Sequence, residues 1–212
     1  IDPALDFRGT VKLVDGTEVE VATSWNLYQV HLKDYDLETV SEITAAPKVL
    51  KCLDLRGKIV TGDAMFAQRD LSVQIVDAGG DYIWTVKNNQ SALKQDIEFL
   101  FQPEKTVPGF SAGTKDFRTE TRTEKGHGRI EQRTLTVSSE LKGYLDWPGA
   151  EQVFKLERHF TRRVDQKVTH EIVYGITSLS AAKAGPKELL PLIRTHWGIE
   201  NGLHYRRDET LR

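Results

Sequence analysis

The chain has 212 residues, of which 39% are hydrophobic and 28% charged, and its formal net charge at pH 7 is −2. This size fits one globular domain with its own core. No apolar run approaches the roughly 18 residues of a membrane-spanning helix, so we expect no contact with a membrane. The single cysteine, Cys52, excludes an intramolecular disulfide and suits a reducing cytoplasm. We expect it to be a small buried residue on a helix.

The first half of the chain predicts strands followed by alternating helices and strands. β-branched and alternating segments predict strands over 17–25, 28–32, 58–64 and 81–87. Helical spacing of apolar residues predicts helices over 41–55, 69–78 and 91–101, the last capped by Ser91. This order is typical of an α/β fold with a mixed sheet flanked by helices.

The second half changes character after residue 102. Segments rich in Thr, Arg and Glu, with alternating patterns, predict antiparallel strands over 114–138, 152–163 and 168–178. A helix is predicted over 187–207. We therefore expect 1–102 to be the first part of a core, 103–180 a β-rich insertion before the last helix, and 181–212 the helix that completes the core. We expect the chain to be a fragment of a longer protein, with a separate domain upstream.

The acidic residues are the only candidates for catalysis, because no zinc spacing, phosphate loop or nucleophile elbow is present. Asp63 stands out because it ends a short buried strand. A carboxylate there must be hydrogen-bonded, paired or bound to metal. The alternative is that Asp63 only caps the helix that follows.

Glu200 is the second candidate. At 100° per residue, it falls at the border of an apolar stripe formed by Leu192, Ile199 and Leu203, from which it could lean toward the sheet. The alternative is a surface pair with Arg207. Asp2 and Asp6, just before the first strands, are both candidates for a third acid. Three such acids could hold two divalent ions through oxygen ligands.

Five segments match the pattern of a known family. They are SEIT at 41–44, VTGDAM at 60–65 with Gln68, GGDY at 79–82 followed by KNNQ at 87–90, KGHGRIEQR at 125–133, and HWGIENGLHY at 196–205. In these segments the chain resembles the insertion-sequence transposases that include the H-repeat-associated proteins, within the DDE class. The resemblance covers about residues 40–212.

The resemblance implies an RNase H-like fold in which Asp63 is the second catalytic acid and Glu200 the third. The first acid stays open between Asp2 and Asp6, because the family's Asp-Gly-Lys is missing before Arg8. The implied cofactor is Mg²⁺ or Mn²⁺, with two ions.

The resemblance also implies a partner, double-stranded DNA at element ends and target, and a homodimer in the synaptic complex. Residues expected to contact DNA, mainly its phosphates, are Lys87, His127, Arg129, Arg133, His196 and Arg207.

The expected function is therefore DNA transposition by metal-dependent cleavage and strand transfer, in the cytoplasm at the nucleoid. Two alternatives stay open. One is a degenerate or domesticated copy that binds DNA without cutting it. The other is a structural or interaction domain whose acids are caps and surface pairs.

Overall fold

The computed structural model describes residues 6–12, 18–24, 29–31, 42–103, 115–126, 129–162, 164 and 167–195. For 6–12, 18–24, 29–31, 42–45 and 129 the description covers the backbone alone. The chain divides into two compact units, one formed by Ile1–Trp84 with Leu189–Arg212 and the other by Thr85–Glu188. The predicted domain boundaries stay predictions.

The first unit is built around a mixed sheet in the order β1-β2-β3-β4-β5. Its strands are β1 (Asp6–Lys12), β2 (Glu18–Ser24), β3 (Gln29–His31), β4 (Ile59–Gly62) and β5 (Asp81–Val86). Strand β2 pairs antiparallel with both β1 and β3, whereas β3, β4 and β5 run parallel to one another. Parallel neighbours require crossover connections. Two helices provide them, α1 (Glu42–Lys51) and α2 (Arg69–Asp77).

The core of this unit lies around β4 and β5. All six residues of β5 are buried, as expected of a parallel strand covered on both faces. Leu71 and Ile75 of α2 and Val49 and Leu50 of α1 are also buried. The structure confirms the predicted α/β class with a mixed sheet and helices.

The second unit contains four antiparallel strands joined in sequence order. They are β6 (Arg118–Gly126), β7 (Arg129–Ser138), β8 (Gln152–Arg162) and β9 (Val168–Thr177). Helix α3 (Ser91–Leu100) packs near β9, where the Phe101 and Tyr174 rings lie 6.4 Å apart. The strands predicted over 114–138, 152–163 and 168–178 are thereby confirmed.

The last described helix, α4, covers residues 186–195. Leu189, Leu190, Leu192 and Ile193 are buried in it, which agrees with the predicted apolar stripe for Leu192. The remainder of the predicted helix lies outside the described residues. None of the described helices combines the length and apolar character needed to cross a membrane.

Three local predictions need correction. Strand β1 was not predicted, and Asp6 is its first residue rather than a residue before the strands. Ser91 does not cap α3, because Gln90 occupies the cap position and its side chain makes no capping hydrogen bond. Cys52 is exposed rather than buried, and it follows the last residue of α1, which ends at Lys51 instead of continuing to residue 55.

Candidate active site

Asp63 lies at the carboxyl end of a parallel strand, immediately after the last residue of β4. Ligands of open α/β sheets bind at this end of the strands. The Asp63 backbone is extended, and its side chain caps a turn of 3₁₀ helix, Ala64–Phe66. The Met65 N–H donates to Asp63 Oδ1 at 2.9 Å. The cap predicted for Asp63 therefore forms, although on this short turn and not on α2.

The cap occupies only one of the two carboxylate oxygens. Within the described ranges, no further hydrogen bond to the Asp63 carboxylate is made, and the residue is only partly buried. An ionised carboxylate has about four lone-pair sites. Asp63 can therefore cap the turn with Oδ1 and still offer Oδ2 to a cation, so the two roles considered for it are compatible.

Close packing beneath Asp63 fixes the position of its backbone. A Cβ on Gly62 would lie 2.6 Å from Trp84 Cζ3 and 2.8 Å from Phe66 Cβ, so only glycine fits between them. Trp84 and Phe66 are almost completely buried. Because Gly62 is packed this closely against Trp84 and Phe66, the end of β4 has little room to shift.

A chain of hydrogen bonds ties the same tryptophan to the start of α2. Trp84 Nε1 donates to Ser72 Oγ at 3.0 Å, and Ser72 Oγ donates to the Gln68 carbonyl at 2.8 Å. Gln68 Nε2 in turn donates to the Met65 carbonyl at 3.1 Å. The turn that carries Asp63 is thus connected at both ends to a buried indole, and satisfied buried networks of this kind are rigid.

The other predicted acids cannot be placed beside Asp63. Asp6 is described by its backbone alone, opposite Ser24 in β2. Asp2 and Glu200 lie outside the described residues. Within the described ranges, no three carboxylate, histidine or cysteine side chains converge on one point. The set of catalytic acids therefore stays a prediction. Of its members, Asp63 is the one whose side chain the structure describes.

The residues predicted to contact DNA are also described in part. Lys87 follows β5, is exposed, and occupies the cap position of the turn Asn88–Gln90. Arg129 is the first residue of β7, opposite Gly126 and Arg162. Three of the six predicted contacts lie outside the described residues: His127, His196 and Arg207.

Arg133 takes part in a cluster of ion pairs that the sequence did not predict. Its side chain is only 10% exposed and contacts Glu131 at 2.7 Å and Glu124 at 3.3 Å. Arg158 contacts the same Glu131 at 3.3 Å and Glu171 at 3.0 Å. We name these five residues the charge cluster. Its geometry favours a structural role for Arg133, and its contact with DNA stays a prediction.

Comparison with known proteins decides the family. The family model described as "Transposase DDE domain" matches residues 27–210, which is most of the chain. The chain belongs to the DDE transposase domain family. The match includes Asp63 and Glu200, whereas Asp2 and Asp6 precede it.

Three of the curated relatives of this DDE domain, all from Escherichia coli, show the extent of the similarity. "H repeat-associated putative transposase YhhI" of strain K12 is 33% identical over 178 residues, 82% of this chain and 45% of the relative. "Putative protein YbfL" of the same strain is 33% identical over 175 residues, which cover 81% of this chain and 44% of the relative. "Putative transposase YncI" of strain O157:H7 is 31% identical over 169 residues, which cover 78% of this chain and 41% of the relative. The chain thus spans less than half the length of these relatives.

Several residues that support Asp63 in this DDE domain were missed by sequence reasoning. They are Gly62, Ser72 and Trp84. A glycine inside a predicted strand does signal a close backbone approach, so Gly62 could have been found. The bond between Ser72 and Trp84 joins residues 12 positions apart and carries no local signal.

Proposed function

We propose that this chain is the catalytic part of a DNA transposase, which cleaves DNA at element ends and joins the freed strand to a target by divalent-metal chemistry. Membership of the DDE transposase domain family supports the transposase class. The observation that carries the catalytic proposal is the position of Asp63: it lies at the carboxyl end of β4, held by one oxygen, with the other oxygen available.

The proposed site has an RNase H-like setting in which Asp63, Glu200 and either Asp2 or Asp6 hold two Mg²⁺ or Mn²⁺ ions. The donor chemistry of the described residue fits, because these ions prefer carboxylate oxygens. Two such ions activate the attacking hydroxyl and stabilise the leaving oxygen of a phosphodiester.

The contribution of the chain itself is to hold the carboxylate in one orientation before substrate arrives. The Met65 N–H keeps Asp63 Oδ1 directed into the turn, so Oδ2 has a defined direction. Packing of Gly62 against Trp84 prevents the strand end from moving away. Misplacement by about 1 Å costs a catalytic site much of its rate, so this rigidity supports function.

DNA is the proposed partner, with Lys87, His127, Arg129, Arg133, His196 and Arg207 as proposed contacts to it. Lys87 is exposed and therefore accessible to a phosphate. We also propose a homodimer in the synaptic complex and a location in the cytoplasm at the nucleoid. Both rest on the resemblance to DDE transposases.

Nicking of supercoiled plasmid DNA in Mn²⁺ or Mg²⁺ tests the catalytic proposal. Asp63→Asn removes the charge but keeps an oxygen that can accept from the Met65 N–H. The variant should therefore fold normally, bind DNA with the parent's salt dependence, and lose nicking. Asp77→Asn is the matched control, because Asp77 is an exposed acid at the end of α2, and it should nick as the parent does.

Two results would count against the assignment. Full nicking by Asp63→Asn shows that Asp63 is not a catalytic acid. Salt-dependent DNA binding without nicking by the parent chain supports the alternative, a copy that binds DNA without cutting it. The cap formed by Asp63 is the observation that favours this alternative, because it gives the residue a purely structural use.

A further inference from the structure

Strand β6 is the last strand in the order of the sheet. Among the described strands it pairs with β7 alone, in an unbroken register from Arg118 opposite Val137 to Gly126 opposite Arg129. Six of its nine residues are exposed and none is buried. The outer edge of such a strand presents a row of backbone N–H and C=O groups to which another strand can add. The exposure of β6 therefore leaves room for a further strand beside it.

The sequence of β6 is complementary in charge to an antiparallel copy of itself. Its residues at even positions alternate in sign and share one face of the strand: Arg118, Glu120, Arg122 and Glu124. The residues between them are threonines on the other face: Thr119, Thr121 and Thr123. We name these seven residues, RTETRTE, the β6 edge. In reverse the segment is ETRTETR, so every arginine of one copy can face a glutamate of the other, and every threonine a threonine.

Charge selects one register for this pairing. Antiparallel strands share backbone hydrogen bonds only when residues that point to the same edge are opposite each other, so a two-fold axis has to pass beside a residue. With the axis at Thr121, Arg118 faces Glu124 and Glu120 faces Arg122. With the axis at Glu120 or Arg122, like charges are directly opposite, which is destabilising. An axis at a neighbouring threonine leaves part of the β6 edge unpaired.

The present contacts of these charges are weak enough to be exchanged. Arg122 contacts Glu120 of its own strand at 3.4 Å, and the two side chains are 43% and 30% exposed. Exposed ion pairs of this kind contribute little to stability. The distance from Arg122 Nη2 to the Lys187 carbonyl is 3.5 Å, which is long for a hydrogen bond. Both charges can therefore turn to a second copy at little cost.

The threonine face already forms a ladder with β7. Thr121 Oγ1 lies 3.0 Å from Thr134 Oγ1, and Thr119 Oγ1 lies 3.2 Å from Thr136 Oγ1. Cross-strand threonine pairs stabilise antiparallel sheets. With the axis at Thr121, this threonine faces its own copy, and the ladder continues from β7 through both β6 strands.

We propose that two copies of this chain pair through the β6 edge, in the antiparallel register centred on Thr121, and so join their sheets across a two-fold axis. Such an interface uses the same surface on both copies and therefore closes as a dimer. Seven residues per copy are fewer than the roughly 20–30 of a stable interface, so the dimer is reversible and depends on concentration. The pairing needs neither DNA nor the proposed catalytic site, so it is tested separately from the proposed transposase activity.

Sedimentation of the full chain without DNA, over a range of protein concentrations, tests the proposal. The parent should form a reversible dimer. Arg122→Glu places two glutamates opposite each other, and Glu120→Arg places two arginines opposite each other, twice in each dimer. Each variant should therefore weaken self-association by at least about tenfold. An equimolar mixture of the two variants should dimerise as the parent does, because every arginine again faces a glutamate.

Two further variants serve as controls for charge and for folding. Lys94→Glu breaks an exposed ion pair with Glu98 within α3, as Arg122→Glu does within β6, and it should dimerise as the parent does. The double variant, Glu120→Arg with Arg122→Glu, restores all opposite-charge pairs within one chain. It should recover the dimer of the parent, and it keeps the test valid if a single variant does not fold.

Disulfide formation with oxidised glutathione tests the register. The variants are made with Cys52→Ser, because Cys52 is exposed. Thr121→Cys should link two copies, because this residue faces its own copy. Thr119→Cys is the matched control: the two copies of Thr119 would lie about 14 Å apart, four residues along the strand, which is too far for a disulfide.

Three results would overturn the proposal. The first is a parent chain that stays monomeric at every concentration at which it remains dissolved, which would leave the β6 edge to a strand of a different protein. The second is a dimer that neither Arg122→Glu nor Glu120→Arg weakens, since that dimer would use another surface. The third is equal cross-linking of Thr121→Cys and Thr119→Cys, which would reject the register centred on Thr121.

Discussion

Replacing Gly62 by alanine should displace the proposed catalytic carboxylate without touching it. The added Cβ would lie 2.6 Å from Trp84 Cζ3 and 2.8 Å from Phe66 Cβ. Carbon atoms reach their optimal separation at about 3.5–4.0 Å, so the indole or the strand end has to move by about 1 Å. Trp84 resists that movement, because it is completely buried, stacks on Tyr82 with centroids 5.5 Å apart, and is hydrogen-bonded to Ser72.

The loss in free energy of unfolding caused by Gly62→Ala should be near the upper end of the range seen for overpacked cores. Extra methyl groups in a close-packed interior cost about 1–3 kcal/mol, and two short contacts with buried partners place this variant near 3 kcal/mol. For a chain of this length, 1 kcal/mol lowers the unfolding temperature by about 2–4 °C. Gly62→Ala should therefore lower it by about 6–12 °C.

Thermal unfolding and plasmid nicking together test this reasoning. Gly126→Ala is the matched control, because Gly126 is also a strand residue and an added Cβ there meets nothing within 4 Å. It should be neutral or slightly stabilising. Below the unfolding temperature, Gly62→Ala should lose nicking while it still binds DNA. A Gly62→Ala protein as stable and active as the parent would refute the account of how Asp63 is held.

Two further predictions concern the second unit and are measured by denaturant unfolding. Glu131→Gln should lower the free energy of unfolding by about 3–5 kcal/mol, because it leaves two nearly buried arginines without their shared carboxylate. Glu171→Gln should lower it by less than about 1 kcal/mol, because Glu171 is 52% exposed. Equal losses in the two variants would contradict the structural role assigned to the charge cluster. Gln152→Leu should lower the free energy of unfolding by about 2 kcal/mol, because the buried amide donates to the Leu179 and Ala184 carbonyls at 2.6 and 3.0 Å. An unchanged free energy of unfolding would show that these hydrogen bonds contribute nothing to stability.

Hydrophobic periodicity was sufficient to predict most of the helices and strands. The buried segment ending at Asp63 and the fully buried β5 are examples, because each has a continuous apolar pattern between turn signals. Strand β1 was missed because its sequence, DFRGTVK, includes charged residues and a glycine, which are depleted in strands. It forms by pairing with β2, and a partner elsewhere in the chain is not visible in a local pattern.

The interactions around the site were less predictable, because they depend on strand register. In the charge cluster, Arg133 lies opposite Arg158, and Glu124 lies opposite Glu131. These like charges are balanced by contacts with the opposite sign, which are diagonal for Arg133–Glu124 and Arg158–Glu131, along β7 for Arg133–Glu131, and directly across the strands for Arg158–Glu171. A register shifted by one residue would send these side chains to the other face. The burial of Arg133 therefore could not be inferred from its place in a basic motif.

Binding of Mn²⁺, measured from the electron paramagnetic resonance signal of the free ion, tests the central claim most directly. The claim is that Asp63 is a metal ligand as well as a cap. Asp63→Asn should weaken Mn²⁺ binding by at least about tenfold, or about 1.4 kcal/mol, with little change in stability because asparagine also caps well. Asp77→Asn should bind as the parent does. Equal Mn²⁺ affinity in the parent chain and Asp63→Asn would contradict the account and leave Asp63 as a cap alone.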